Sequence, residues 1–272
     1  VTATGDYVRK SGFTDVSLGL SGGIDSALVA TVAADALGAD HVHVVLMPSR
    51  YSSDHSVVDA EELATNLGIG TLTVPIESAH TALGSELDSA IAGTLPRVAD
   101  ENLQARIRGV MLMSLANTFD WLVLTTGNKS EAAVGYSTLY GDTVGAYAPI
   151  KDVYKTVVYE LVRWRNERDG APVVPVSILK KAPSAELRPN QRDDDSLPRY
   201  EVLDPLLEAY IEGDRTRVEL VSDGFDADLV EEVVRLVDRA EFKRRQNPPG
   251  VRVTQKGFGR DRRLPLVNRY RG

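Results

Sequence analysis

The chain has 272 residues, with 31 Lys plus Arg against 39 Asp plus Glu, a net charge of −8. Hydrophobic residues make up 43 % and charged residues 26 %, which excludes disordered and fibrous classes and leaves room for one large domain or two small ones. The acidic balance argues against a nucleic-acid partner, and the lack of any apolar run near 18 residues argues against a membrane span. Cysteine is absent, so the chain has no disulfide and no thiolate metal site, in keeping with a cytoplasmic protein.

Residues 15–20 read as a buried strand ending in a Gly-rich turn, and 24–37 as an Ala-rich helix stopped by Gly38. Residues 41–47 form a second strand ended by Pro48, and 57–67 a helix stopped by Gly68. Residues 71–76 are a third strand, weakened by Pro75. A long helix follows over 101–119, with Ile107, Val110, Met111, Leu115 and Phe119 at helical spacing, and then a fourth buried strand at 121–125. Alternation of this kind predicts an α/β fold, a parallel sheet with helices on both faces.

Beyond residue 150 the pattern changes. One more helix covers 152–168, and a stretch rich in Pro, Arg and Asp at 170–200, with Asp193, Asp194 and Asp195 in a row, reads as an active-site or interface loop. A C-terminal helical segment follows at 204–212, 215–222 and 227–244, and the last 25 residues lack periodicity. Between Arg239 and Arg271 there are eleven Lys/Arg and two acids, a local +9 that leaves −17 on the rest. Such a basic tail is expected to meet phosphates, an acidic partner or the body itself.

The strongest chemical signal is Gly19-Leu20-Ser21-Gly22-Gly23-Ile24-Asp25-Ser26, between the first strand and the first helix. A turn of this kind gathers backbone N–H groups at a helix N-terminus, and glycines let a phosphate approach closely. Ser21 and Ser26 add hydroxyl donors. Asp25 would repel a phosphate unless a cation lies between them, which points to Mg2+ bridging its carboxylate and phosphate oxygens. The absence of a following Lys excludes a Walker loop, and the absence of G-x-G-x-x-G excludes a hydride-transfer dinucleotide fingerprint. The plainer alternative is a connecting turn in which Ser21 or Asp25 serves only as a cap.

S-G-G-x-D-S after a first buried strand resembles the signature of the N-type ATP pyrophosphatases, which include NAD, GMP and asparagine synthetases. Later segments resemble NAD synthetase. Thr126 and Glu131 stand in T-T-G-N-K-S-E after the fourth strand, where the family has a Thr on ATP and a Glu that helps hold magnesium near the substrate. Without that resemblance, Glu131 reads simply as a solvated carboxylate on a short helix. Asn102 and Arg106, four apart on one helix face, match the family's deamido-NAD contacts, and Tyr136, Ser137, Thr138 and Leu139 match its strip beside the nicotinate ring. A Tyr in such a loop also suits a core position. Arg108, two positions on from Arg106, points elsewhere and is expected in a surface or interface ion pair.

By the same resemblance Lys155 contacts ATP, with Lys151 a competitor that spacing does not separate, and Ser184 contacts ATP or caps the next turn. Lys243 is expected to reach the dinucleotide, and residues 256–265 to form an ordered ligand-covering or interface segment like the C-terminus of the glutamine-dependent branch.

The resemblance implies an adenine nucleotide alpha hydrolase-like, Rossmann-like fold and a single NAD synthetase domain over 1–272. It also implies ATP-dependent amidation of deamido-NAD through an adenylated intermediate, with release of AMP and pyrophosphate. Asp25, Glu131 and Lys155 would be catalytic, the loop Gly19–Ser26 would hold ATP, and Asp25 and Glu131 would hold Mg2+. Nitrogen would come from ammonia or glutamine. The expected assembly is a homo-oligomer, at least a dimer, and the start at Val1 suggests the ligase part of a longer protein with an upstream glutaminase domain absent from these residues. Two rival readings are another ATP pyrophosphatase, such as a GMP synthetase ligase domain, and a nucleotide-binding module without catalysis.

Overall fold

The structure is a computed structural model and describes residues 1–168 and 170–266. Its helices in chain order are α1 (Thr2–Lys10), α2 (Ile24–Leu37), α3 (Asp54–Leu67), α4 (Glu77–Ala90), α5 (Arg97–Phe119) and α6 (Lys129–Val134). They continue with α7 (Lys155–Arg168), α8 (Val176–Lys180), α9 (Tyr200–Ile211), α10 (Arg217–Ser222), α11 (Ala227–Arg239) and α12 (Glu241–Arg244). The strands are β1 (Val16–Gly19), β2 (Val42–Leu46), β3 (Gly70–Thr73) and β4 (Leu122–Val123), in a parallel sheet of order β3-β2-β1-β4.

The two-residue period of the strands sorts the core. Val16 and Leu18 of β1, Val42 and Val44 of β2 and Leu122 of β4 face α2, α3 and α7, where Ala27, Ala30, Leu63, Val158 and Val162 pack against them. Val45 and Val123 face the other way, onto Leu112 and Ala116 of α5. Each fully buried Val or Leu here contributes on the order of 1.5–3 kcal/mol. The predicted sheet with helices on both faces is therefore present. Pairing at the outer edge runs past β3, since the N–H groups of Val74 and Ile76 donate to Leu46 O and Pro48 O. Pro75 falls between them, a position where an edge strand needs no donor.

Helices α1, α4 and α8 lie where no helix was expected, the last inside the stretch read as a loop. α1 is short and buries only Thr4, Gly5 and Val8, and α4 buries only His80, so neither shows an apolar stripe. The predicted helix over 227–244 divides into α11 and α12 at Ala240. α6, α9, α10 and α11 enclose a second core around Leu203, Leu206, Leu207, Val233 and Val237, set beside α7. Among the described residues no helix is long and apolar enough to cross a membrane.

The basic tail, as far as residue 266, is fixed to the body. Lys256 pairs with Asp214, Arg262 lies over the Tyr210 ring, and Arg244 lies over Phe258. Residues 267–272, which include Arg269 and Arg271, lie outside the described residues. Beneath α6 the Lys129 side chain is wholly buried and meets Asp152 at 2.9 Å, Glu212 at 3.0 Å, Thr254 Oγ1 at 2.5 Å and Lys256 O at 2.9 Å. A buried ammonium is tolerable because these partners satisfy its charge and its donors. The tail is thus clamped under the helix that carries Glu131.

Candidate active site

The carboxyl ends of β1, β2 and β4 open onto a cavity of about 300 Å³, the position where parallel α/β sheets bind ligands. Gly19, Leu20, Ser21, Gly23, Ile24, Asp25 and Ser26 all line it. Ser26 Oγ, almost fully buried, donates to Gly23 O at 3.0 Å and lies 3.1 Å from Ser21 Oγ, and Gly23 N–H donates to Ser21 Oγ at 3.2 Å. Internal hydrogen bonds of this kind hold the loop in its cradle shape. Gly22 does not line the cavity. It has φ +73°, and a Cβ there would stand 2.2 Å from Ser56 O, so glycine lets the first turn of α3 close against the loop.

Asp25 in the first turn of α2 and Glu131 in α6 come together from distant parts of the chain. Lys155, at the start of α7, joins them: its ammonium pairs with Asp25 and lies 3.5 Å from Glu131 Oε1. Asn128 completes the group. Its amide donates to Asp25 Oδ1 at 3.0 Å, its Oδ1 accepts from Glu131 N–H at 2.9 Å, and Glu131 Oε2 accepts from Asn128 N–H at 3.4 Å. The last two bonds form a capping box at the start of α6. Burial, and secondly the nearby Asp25 charge, push the Glu131 carboxyl up to about 8. Burial works against the Lys155 ammonium, but the charges of Asp25 and Glu131 outweigh it and hold it protonated.

Among the described residues no three His, Cys, Asp or Glu come together as a metal site. Asp25 and Glu131 therefore fit a divalent ion only where phosphate and water oxygens complete its shell, which is how Mg2+ binds beside nucleotides. Of the two candidate lysines, Lys155 is the one at these carboxylates. Lys151 Nζ donates to Pro248 O at 2.6 Å and lines a second, smaller cavity of about 70 Å³. The two cavities share Thr125, Thr126, Glu131, Tyr136 and Asp142.

α5 presents two faces here. Ala105, Arg108, Gly109 and Leu112, at spacings of three and four, line the larger cavity. Asn102 and Arg106 lie on the adjoining face and hold the strip beyond Tyr136: Thr138 Oγ1 donates to Asn102 Oδ1 at 2.7 Å, and Arg106 Nε donates to Leu139 O at 3.2 Å. Lys243 Nζ holds the same strip, donating to Gly135 O and Ser137 O at 2.8 and 2.7 Å. Asn102, Arg106, Thr138, Leu139 and Lys243 line neither cavity, whereas Tyr136 lines both and Ser137 lines the smaller. Ser184 lines the larger cavity, and its hydroxyl also accepts from Glu186 N–H at 3.1 Å.

Arg108 corrects the sequence reading. It is not in a surface or interface ion pair but lines the cavity, with Nε donating to Met47 O at 3.0 Å beyond the end of β2. Burial pulls its guanidinium down to about 10. No described residue of 250–266 lines either cavity.

Other site groups had no assigned role in the sequence. Asp193 lines the cavity and accepts from Tyr200 OH at 2.9 Å, and the Tyr136 hydroxyl also bonds to it. Asp142 accepts from Thr138 N–H at 2.7 Å, and burial pushes its carboxyl up to about 6. Lys181 and Glu186 also line the cavity. Asp193, Lys181 and Glu186 fall in the stretch 170–200 that the sequence marked as an active-site or interface loop, and Asn128 left the Asn-x-x-Glu spacing of a capping box.

A family model described as NAD synthase matches residues 1–247. The glutamine-dependent NAD(+) synthetase of Rhodobacter capsulatus is 53 % identical over 273 aligned residues, covering 98 % of this chain and 50 % of its own length. The chain thus spans about half the length of the curated relatives it matches. Among solved structures, the glutamine-dependent NAD+ synthetase of Acinetobacter baumannii, in complex with ADP, superposes with TM-score 0.65 at 48 % identity, over 98 % of this chain and 48 % of that one. The NMN synthetase of Francisella tularensis superposes with TM-score 0.74 at 29 % identity, over 88 % of this chain and 90 % of that one.

Proposed function

Because this chain belongs to the NAD synthase family, we propose that it is an ATP-dependent ligase that amidates deamido-NAD to NAD, releasing AMP and pyrophosphate. The observation that carries this reading is the meeting of Asp25, Glu131 and Lys155 at the mouth of the Gly19–Ser26 loop, on the side where Tyr136 enters the cavity. Two carboxylates and one ammonium around a phosphate cradle suit a reaction whose difficulty is bringing anions together.

The nicotinate carboxylate attacks the α-phosphate of ATP. The Gly19–Ser26 loop holds the polyphosphate by N–H and hydroxyl donors, and Lys155 meets charge gathering on the departing pyrophosphate. Asp25 and Glu131 would hold Mg2+, which when bound neutralises phosphate charge and leaves the α-phosphorus open to attack. Asn102, Arg106 and Lys243 keep the strip 135–139 in place beside the acceptor. Ammonia then displaces AMP from the adenylated acceptor. Asp142, where the two cavities meet, is placed to take the proton an incoming ammonium must lose.

The names of the curated relatives support glutamine as the original nitrogen donor. These 272 residues contain no cysteine, so any cysteine-based release of ammonia from glutamine takes place on other residues. We propose in addition that the protein acts in the cytoplasm as a homo-oligomer, at least a dimer.

The test is direct: protein, ATP, magnesium, ammonium and deamido-NAD are mixed, and AMP, pyrophosphate and NAD are measured. Equal amounts of all three are expected. ADP in place of AMP, or no AMP with deamido-NAD, sinks the proposal. The likeness to an NMN synthetase makes a mononucleotide acceptor the comparison to run, and a purine nucleotide acceptor tests the GMP synthetase alternative. Faster turnover with either one would reassign the substrate.

A further inference from the structure

The Glu186 carboxylate lies in a pocket of donors that fits a phosphate as well as it fits a carboxylate. Its Oε1 accepts from Ser53 Oγ at 2.9 Å, from Ser56 Oγ at 2.7 Å and from Lys181 Nζ at 3.0 Å, and its Oε2 accepts from Ser53 N–H at 3.3 Å. Lys181 also donates to Ser56 Oγ. Ser53 is the N-cap of the 14-residue helix α3, so the carboxylate lies at the positive end of that helix. Arg108 reaches the same carboxylate electrostatically from the α5 wall.

This donor set adjoins the phosphate loop. Ser56, Lys181 and Glu186 line the same cavity as Ser21 and Asp25, and the backbone of Ser56 touches Gly22. Glu186 reaches the donors at some expense, because its own backbone is held at φ +50°, a left-handed conformation that is unfavourable for a residue with a side chain. It is carried on residues 181–192, which contain no helix or strand. A polyphosphate entering along the Gly19–Ser26 loop would run into this negative charge.

We propose that Lys181, Ser53 and Ser56 form a subsite for the terminal phosphates of ATP and for the pyrophosphate it releases, and that Glu186 occupies this subsite until the nucleotide displaces it. The proposal rests on the ATP-cleaving reading of the cavity and extends it to residues that no sequence motif assigned. Anionic oxygens of carboxylate and phosphate accept from the same N–H, O–H and ammonium donors, and such charge-assisted bonds are the strong ones. An internal anion that fills the subsite for part of the time weakens the ligand's apparent affinity by the vacant fraction. Removing the Glu186 charge therefore strengthens binding, whereas removing a residue that merely braced the loop would weaken it.

Inorganic pyrophosphate is the probe and AMP, which lacks the terminal phosphates, is the control, both titrated calorimetrically with magnesium present. Glu186→Gln is expected to tighten pyrophosphate about tenfold and Lys181→Met to loosen it about tenfold, with AMP affinity within about twofold of wild type in both. Unchanged or weaker pyrophosphate binding in Glu186→Gln overturns the proposal. Should that variant fail to fold, Lys181→Met and Lys181→Arg decide: loss in the first with retention in the second supports the subsite, and two wild-type affinities overturn it. Wild-type AMP formation from ATP and deamido-NAD is assayed separately. The expected pyrophosphate pattern without turnover would leave the subsite standing and remove the ligase reading.

Discussion

The Asn128 amide donates to Asp25 Oδ1 over 3.0 Å, and this one bond ties the start of α6 to the first turn of α2. Asn128 is fully buried and also caps the helix that carries Glu131, so a single side chain sets the separation of both carboxylates. Asn128→Ala is expected to lower stability by about 1 kcal/mol through the lost cap and to slow AMP formation by roughly 10- to 100-fold through the misplaced carboxylates. Asn128→Asp retains the cap acceptor but turns the donor to Asp25 into a buried carboxylate against it, so it should recover neither the rate nor the stability. Thermal unfolding together with initial rates checks this; a wild-type rate in Asn128→Ala would show that the bond is only structural.

A second expectation concerns pH. The Glu131 carboxyl is pushed up to about 8 in the folded chain, above the ordinary range near 4.5, chiefly by burial. Between those values the folded state holds a proton that the unfolded chain has lost. Stability therefore falls as pH rises through that window. A divalent ion must displace the same proton, so magnesium affinity should tighten as pH rises towards 8, by up to about tenfold per unit, and level off above. Calorimetry at pH 6.5, 7.5 and 8.5 with a non-hydrolysable ATP analogue measures this, and Glu131→Gln subtracts the proton of the nucleotide itself. Equal slopes in the two proteins would refute the assignment.

The Lys129 ammonium gives a stability prediction. Removing it leaves Asp152 and Glu212, which are 5 % and 10 % exposed, without their shared cation. Lys129→Ala should destabilise the chain by about 3–5 kcal/mol, read as a lower urea midpoint. Lys129→Ala with Asp152→Asn should recover part of the loss, because one of the stranded charges is gone. A double variant no better than the single one would place the effect in packing rather than charge.

Gly22 offers a steric test. A methyl group there meets Ser56 O at 2.2 Å on a backbone with φ +73°, so Gly22→Ala must push α3 away from the phosphate loop. The left-handed backbone alone adds about 1–2 kcal/mol. ATP affinity is expected to fall by about tenfold or more, because the loop and the α3 terminus no longer meet. Equilibrium binding of an ATP analogue measures this, and an unchanged affinity would show that the loop adapts.

Much of this arrangement was legible in the sequence because its signals are local. The phosphate loop lies within eight consecutive residues, and the buried strands 15–20 and 41–47 announce themselves as apolar runs. α4 was not legible, since a helix that buries one His leaves no apolar stripe. Lys155 and Lys151 are alike in sequence and differ only in what faces them, Asp25 in one case and Pro248 O in the other. Helical spacing correctly set Arg108 on a different face from Asn102 and Arg106, but not what that face meets, the end of β2 some 61 residues away in the chain. The anion pocket of Glu186 joins residues 130 or more apart, and no spacing rule reaches that far.

The clamp on Lys129 bears on where this chain can be trimmed. A protein shortened to residue 247, the end of the family match, keeps every residue that lines the larger cavity. It loses Thr254 and Lys256, whose oxygens close over the Lys129 ammonium, two positions from Glu131. Water would enter beneath α6, and the Glu131 carboxylate would stand on an unsupported turn. The boundary of the chemistry and the boundary of the scaffold therefore fall at different residues, and a shortened protein should bind nucleotide before it regains a well-placed Glu131.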